Sequence, residues 1–256
     1  MGKDKLRRFA EIEEFSNVFQ LDEGKPLKGT WAKEFFKNAN PVVLELACGK
    51  GEYTVNLAQL FPDKNFIGVD YKGNRIWRGA KTALEEGVDN VGFLRIQIEN
   101  LTNYFATGEV DEIWITFPDP QPQLSREKKR LTSPRFLDQY REVLRPGGAI
   151  NLKTDNDGFY AYTAQMITEL GLKLHINTDD LYNSVFADEF MKKHQLTKRE
   201  VEIIRLVCQE LNSKEIAEKL FIAEFTVNTH RRNILSKLGM KNTPALINFA
   251  KQNGIA

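Results

Sequence analysis

Apolar and polar positions follow two regimes along the chain. Up to about residue 176, short apolar runs end in acids or turn residues, and amphipathic stretches separate them. This is the pattern of buried parallel strands joined by helices. Val42 to Leu46 is the first strand, and it leads through Ala47-Cys48-Gly49-Lys50-Gly51 into a helix from about Glu52 to Leu60. A second strand runs from Asn65 into Asp70, and the helix after Tyr71-Lys72-Gly73-Asn74-Arg75 reaches Glu86, where Gly87 stops it. Val91 to Ile96 is a third strand, followed by Gln97-Ile98-Glu99-Asn100. Asp111 to Phe117 is a fourth, running into Pro118-Asp119-Pro120. A helix over Pro134 to Leu144, a turn at Pro146-Gly147-Gly148 and a fifth strand, Ala149 to Lys153, come next. Thr154-Asp155 ends that strand, Gly158 to Leu170 is a helix, and Leu172 to Ile176 is a short sixth strand. Ahead of the first strand, Asp22 to Gly29 reads as a polar loop and Trp31 to Phe36 as a short helix.

From His194 the pattern changes to short capped helices. Thr197-Lys198-Arg199-Glu200 is a capping box, and Asn212-Ser213-Lys214-Glu215 resembles one with Asn as the cap. The first opens a helix with Ile204, Val207, Cys208 and Leu211 on one face, the second a helix with Ile216, Ala217 and Leu220. Phe225 to Leu238 forms a third helix, stopped by Gly239, and Thr243-Pro244 caps a fourth with Leu246, Ile247 and Ala250. Short helices joined by tight turns, with polar and basic residues on the later one, fit a helix-turn-helix. A small bundle with a solvated basic face has the same pattern.

Charge sharpens this division. The 36 Lys+Arg nearly balance 35 Asp+Glu. Residues 187–256 nevertheless carry 12 basic and 8 acidic side chains, so a mildly basic tail follows a mildly acidic body. Cys48 and Cys208 lie far apart without metal-ligand spacing, so reduced thiols, no metal and a cytoplasmic location are expected. No signal peptide is read, and no apolar run is long enough for a membrane span.

Candidate chemistry gathers at the strand ends. Gly49 and Gly51 allow a tight turn against which a ligand can lie. An acid at the end of a second strand, here Asp70, suits a ribose diol in a wound α/β sheet. Ordinary turns with solvated acids give the same letters. Asp119 sits in a stiff loop between two prolines, as a placed acid or as a solvated turn residue. The runs Lys5-Leu6-Arg7-Arg8 and Arg126-Glu127-Lys128-Lys129-Arg130 are either solvated surface or phosphate grips, and the first reads rather as a frayed end.

The order strand, Gly-x-Gly, helix, acid after the second strand and polar residue after the third resembles class I AdoMet-dependent methyltransferases. Taken with Leu44 to Gly51, Gly68-Val69-Asp70, Phe117 to Pro120, the basic runs and Thr154-Asp155, it closely resembles the bacterial tRNA (guanine-N7)-methyltransferase family over about residues 3–186. That resemblance implies an α/β, Rossmann-like sheet that binds S-adenosyl-L-methionine. Glu45, Gly49, Gly51, Asp70 and Asn100 would line the pocket, with Glu99 beside it. Asp119, where cofactor and guanine meet, would be the catalytic residue. On the tRNA side stand Asp155, Gln123 (a position near which the family often has a basic residue), Arg126, Lys128, Lys129, Arg130, Lys5, Arg7 and Arg8. The family's Thr-x-(Phe/Tyr)-Glu motif and last strand do not follow Phe186.

The wording Leu196 to Glu200, Lys214-Glu215-Ile216-Ala217, Thr226 to Ile234 and Lys237-Leu238-Gly239 resembles the LuxR/GerE-type DNA-binding domain over about residues 194–256. By that resemblance Phe225 to Leu238 is a recognition helix for double-stranded DNA. Asn228, Thr229 and Arg232 would face base edges, Arg231 and Lys237 would meet phosphates, and Thr226 is also expected among the DNA-binding residues. His230 reads as a half-buried packing residue. The last helix would make a homodimer. The expected organisation is therefore a methyltransferase domain, 1–186, a junction, 187–193, and an all-α helix-turn-helix domain, 194–256. The expected function is methyl transfer to N7 of a guanine in tRNA with an appended DNA-binding module. Two alternatives stand beside it, a transcription regulator with a disabled methyltransferase domain, and a join of two folded parts without shared function.

Overall fold

A computed structural model describes residues 3–177 and 196–252. The chain divides into two compact units between residues 173 and 174. The expected junction, 187–193, lies outside the described residues.

The first unit is built on six strands, β1 (Val18–Gln20), β2 (Val42–Leu46), β3 (Asn65–Val69), β4 (Val91–Arg95), β5 (Val110–Thr116) and β6 (Leu144–Lys153). They form one sheet in the order β1-β4-β3-β2-β5-β6, and every neighbouring pair is parallel. The chain runs outward from β2 through β3 to β4, then returns to place β5 on the other side of β2. That reversal creates a crevice beyond the carboxyl ends of β2 and β5, where wound α/β sheets take ligands.

Helices cover both faces, as a parallel sheet requires. On one face lie α1 (Lys3–Glu14), α2 (Glu52–Leu60) and α3 (Gly73–Glu86). Their core includes Ile12, Val55, Ile76 and Trp77 against Val43, Phe66 and Phe93. On the other lie α4 (Pro134–Val143) and α5 (Asp157–Glu169), with Phe136, Tyr140 and Phe159 against Leu44, Ile113 and Ile115. The connecting segment 21–35 adds Trp31, which is fully buried and donates its indole N–H to the Tyr104 carbonyl at 2.9 Å.

Four departures from the sequence reading have physical causes. The N-terminus is a docked helix, not a frayed end, because Ile12 is buried and Glu11 accepts the Trp77 indole N–H at 2.6 Å. Strand β1 has three residues, too few to show a period of two. β6 begins five residues early, and its register with β5 jumps from Val110↔Leu144 to Glu112↔Ala149, which accommodates Pro146-Gly147-Gly148. Finally, Leu172 to Ile176 is not a strand; Leu174 and Ile176 are about half exposed, and β6 is the outer strand of the sheet among the described residues.

The second unit holds α6 (Lys198–Cys208), α7 (Ser213–Leu220), α8 (Glu224–Lys237) and α9 (Thr243–Gln252). Both capping boxes form. Thr197 Oγ1 accepts from the Glu200 N–H and Glu200 accepts from the Thr197 N–H, with the same exchange between Asn212 and Glu215. At α9 the capping side chain is Asn242, which accepts from the Ala245 N–H at 2.9 Å, rather than the expected Thr243. Ile204, Val207, Ile216, Leu220, Val227, Ile234, Leu246 and Ala250 close a core of their own, while Cys208, Leu211, Leu238 and Ile247 pack on it half-buried.

Candidate functional site

Because all six strands are parallel, the segments after β2, β3, β4, β5 and β6 leave by the same edge. That edge therefore collects the loop Ala47 to Gly51, Asp70, the turn bearing Glu99 and Asn100, the loop bearing Asp119, and Asp155.

The loop after β2 bends through left-handed backbone at Ala47, Gly49 and Gly51, with φ of 58°, 59° and 71°. The Cys48 N–H donates to the Val69 carbonyl at 3.1 Å, and the Gly49 N–H donates to Asp70 Oδ2 at 3.0 Å. The Lys72 N–H donates to Asp70 Oδ1 at 2.8 Å. Asp70 thus ties the ends of β2 and β3 together, and each carboxylate oxygen keeps further acceptor capacity. Burial pushes the Cys48 thiol up, which makes it an inert packing group. No side chain caps the start of α2, so its first turn points unblocked into the crevice.

Two glycines let this loop lie against α3. A Cβ on Gly51 would run into the Phe93 ring, and one on Gly79 would sit 2.6 Å from the Lys50 carbonyl oxygen and 2.9 Å from Gly51 Cα. Backbone cannot yield as a side-chain tip can. We expect Gly79→Ala to destabilise the first unit by about 1–3 kcal/mol despite alanine's better helix propensity. Thermal unfolding checks this, and an unchanged or raised midpoint would mean that the contact is not tight.

Glu45, on β2, is 2% exposed. Thr54 of α2 and Thr116 at the end of β5 each donate a hydroxyl to its carboxylate. Burial pushes its pKa up to about 7, against the downward pull of the two hydroxyls. Glu45 therefore lies beneath the loop rather than open in the crevice. Sequence reasoning missed both threonines, because nothing in a linear pattern pairs residues 54 and 116.

The loop after β5 is stiff for a second reason besides its prolines. Phe117 and Gln121, on either side of Pro118-Asp119-Pro120, both take left-handed backbone, at φ of 46° and 44°. Strained backbone of this kind concentrates at functional sites. The Phe117 N–H donates to the Lys153 carbonyl at 2.8 Å, and Asp119 Oδ1 accepts the Gln121 N–H at 3.1 Å. The Asp119 side chain is exposed. On β6, Lys153 Nζ lies 5.5 Å from the Phe117 ring centroid and 5.9 Å from that of Tyr53. Burial lowers this lysine's pKa to about 8. Lys153 also escaped sequence reasoning; its register partner Thr116 places it on the Glu45 side of the sheet.

After β4, Asn100 is exposed and Glu99 half-buried, with the Glu99 carbonyl accepting from Gln139 at 2.8 Å. Asp155 is exposed after β6. Among the tRNA-side candidates, Gln123, Arg126, Lys128 and Lys129 are exposed on and beside the short turn Leu124–Lys129. Arg130 is turned inward, donating to the Gln121 carbonyl at 3.2 Å and lying 4.3 Å from the Tyr162 ring, so it braces the Asp119 loop. Arg7 pairs with Asp4 and Glu11, and Arg8 lies 4.6 Å from the Trp77 ring. Lys5 is half-buried on the same helix.

In the second unit, Asn228 and Arg232 are exposed along α8, while Thr226, Thr229 and His230 are half-buried. The Thr229 hydroxyl donates to the Phe225 carbonyl at 2.9 Å. Two expected phosphate contacts are engaged inside the module. Arg231 donates to Ser213 Oγ at 3.2 Å and to Thr243 Oγ1 at 3.3 Å, linking α8 to α7 and α9. Lys237 Nζ lies 2.8 Å from the buried Glu200 carboxylate. Burial works against the charge on Glu200, but the Lys237 and Thr197 bonds outweigh it and hold the pKa below its ordinary value.

A cleft of about 420 Å³ lies at the opposite, amino-terminal edge of the sheet. Its Glu109 accepts the Gly29, Trp31 and Ala106 N–H groups, and its Asp111 the Val42 N–H and Arg145, so both acids serve the fold. Among the described residues no three His, Cys, Asp or Glu side chains cluster as metal ligands. No described helix is long and apolar enough to cross a membrane.

Residues 39–209 match the family described as "Putative methyltransferase", and residues 194–250 match the bacterial regulatory proteins of the luxR family. Over 192 residues the chain is 53% identical to a protein of Christiangramia forsetii named tRNA (guanine-N(7)-)-methyltransferase, covering 73% of this chain and 86% of that one. A protein of the same name from Bacteroides fragilis is 50% identical over 197 residues, 75% of this chain and 77% of the other. Among solved structures, an aminoglycoside resistance methyltransferase matches 63% of this chain and 77% of its own at 20% identity, with a TM-score of 0.41.

Proposed function

The chain belongs to the methyltransferase family whose curated relatives are named tRNA (guanine-N(7)-)-methyltransferase, and from that premise we propose that it methylates N7 of a guanine in tRNA, with S-adenosyl-L-methionine as donor and a DNA-binding module appended. One observation carries the reading. The glycine loop after β2 and the strained Asp119 loop after β5 face each other across the switch point of the sheet.

The residues there fit the donor. The loop backbone at Gly49 would take its amino-acid part, with Gly51 seating that loop against Phe93, Asp70 would have acceptor capacity for a ribose diol, and Asn100, with Glu99 beside it, would line the pocket. Glu45 supplies a buried carboxylate under the loop. When bound, S-adenosyl-L-methionine supplies a methyl group on a sulfonium, and that carries the reactivity. The chain's own part is positioning. N7 of neutral guanine already bears a lone pair, so no strong base is required, and holding the ring in line is worth several orders of magnitude. Ionised Asp119 accepts hydrogen bonds from the guanine N1–H and exocyclic amino group and fixes the ring. Asp155 faces the substrate from β6, and Arg126, Lys128 and Lys129, with Gln123, meet tRNA phosphates. Lys5, Arg7 and Arg8 on α1 offer a further grip for tRNA phosphates, while Arg130 stiffens the catalytic loop.

In the second unit, α8 lies in the major groove of double-stranded DNA, with Asn228, Thr229 and Arg232 toward the bases. The domains run over 1–186 and 194–256, α9 provides a homodimer contact, and the protein works in the cytoplasm. We expect Arg232→Ala to weaken binding to the preferred duplex by about 1–3 kcal/mol. Unchanged affinity in a titration would count against α8 as the reading helix.

Methyl transfer from labelled S-adenosyl-L-methionine to unmodified bulk tRNA, with the product base identified, tests the whole reading. Formation of 7-methylguanine supports it. Donor binding without transfer would favour the second reading, a DNA-binding regulator with a disabled methyltransferase unit. That reading draws on β6 as an outer strand among the described residues and on the family motif that does not follow Phe186 in the sequence.

A further inference from the structure

Helix α8 carries an exposed aromatic ring that the base contacts above do not use. Phe225 is 77% exposed in the first turn of the helix. Counting from it, Asn228, Thr229 and Arg232 follow at three, four and seven residues, so all four share one face. The hydroxyl of Thr229 is committed to the Phe225 carbonyl at 2.9 Å. Hydrogen bonding on this face is therefore left chiefly to Asn228 and Arg232, and its apolar surface chiefly to Phe225. Among the described residues of the unit the other large exposed ring, Phe221, caps α7 at φ 53° and lies off the face, in the turn before α8.

A helix laid in the major groove presents its N-terminal residues to base edges. There the only apolar group a base pair offers is the 5-methyl of thymine, and a phenyl ring is one of the few side chains that meets it without leaving a polar group unpaired. We propose that Phe225 is a specificity residue that reads a thymine methyl at the edge of the half-site bound by α8. This rests on the reading of the second unit as a DNA-binding module, and it adds what that module selects: a thymine, read by contact with its methyl group, beside the bases that Asn228 and Arg232 read by hydrogen bonds.

The test removes the methyl alone. A duplex selected by the full chain from a randomised pool is resynthesised with each thymine in turn replaced by deoxyuridine, and affinities are measured by fluorescence anisotropy. Wild type is expected to lose about fourfold at one thymine of the half-site, the worth of one buried methyl group. Phe225→Ala, at an exposed position that the core does not need, is expected to bind the thymine and uracil duplexes equally. Phe221→Ala is expected to keep the wild-type ratio. The inference is overturned if no uracil replacement affects wild type, or if Phe225→Ala retains the fourfold difference. A wild-type chain that prefers no duplex over another overturns the DNA-binding reading itself, which separates the two failures.

Discussion

Asp119→Ala is expected to lower methyl transfer to tRNA at least a hundredfold, the cost of a reacting group misplaced by about 1 Å. It should do so while leaving DNA binding by the second unit intact. The alanine removes two things at once: the charge offered to guanine, and the acceptor for the Gln121 N–H that helps hold the loop. Asp119→Asn separates them, because its amide oxygen still accepts from Gln121. Guanine presents two donors on its Watson–Crick edge, and one amide oxygen flanked by an NH2 group cannot satisfy both. The asparagine variant is therefore expected to keep the fold of the loop and still lose most of the rate. Single-turnover transfer to unmodified tRNA measures both variants, and near-normal rates in either would remove Asp119 from the proposed role.

The second large effect concerns Glu45 and pH. Its carboxyl titrates near 7 in the folded chain, raised by burial from the ordinary 4.5. Between those values the unfolded chain has released this proton and the folded chain still holds it, so this group's contribution to stability falls as pH rises through the window. At about 1.4 kcal/mol per pH unit, the loss across the window is on the order of 3 kcal/mol. Glu45→Gln keeps an acceptor for a threonine hydroxyl and removes the titration. In the absence of donor it should be more stable than wild type at pH 8, by a similar amount, and show no fall between pH 5 and 7. All three tryptophans, Trp31, Trp77 and Trp114, lie in the first unit, so urea unfolding followed by their fluorescence reports on that unit. Wild-type stability that stays flat from pH 5 to 8 would show that Glu45 remains charged throughout. A residue that costs stability at neutral pH has reason to be there only if it serves the site, and the same variant is expected to bind S-adenosyl-L-methionine more weakly.

Much of this was legible in the sequence because the central strands are buried on both faces. Val42 to Leu46, Asn65 to Val69 and Val91 to Arg95 are short, largely apolar runs, and acids and glycines follow the first two. Periphery and partnership were harder. Leu172 to Ile176 alternates like a strand yet is not one, since alternation states a preference but does not supply a neighbour. The sequence points Arg231 and Lys237 of α8 at DNA phosphates and does not show that Ser213, Thr243 and Glu200, contributed by other helices, bond to them. A helical wheel drawn from one segment has no view of its neighbours. The pairing of Thr54 and Thr116 on Glu45 was hidden for the same reason.

The order of strands in the sheet also bears on how the chain is made. Val43 must wait for Glu112, and Val18 for Phe93, so β2 leaves the ribosome long before one of its two neighbours exists, and β1 long before its partner. At about 5–20 residues per second, the roughly seventy residues between β2 and β5 take about 4–14 s to synthesise. Throughout that interval the apolar strand that becomes the centre of the sheet has only β3, and later β4, to build on. The described helices of the second unit pack on one another within about 55 residues, and small helical topologies of this kind fold in microseconds to milliseconds once complete. Of the two units, the one that follows in the chain is thus expected to fold the quicker, while the sheet of the first stays open for longer during synthesis.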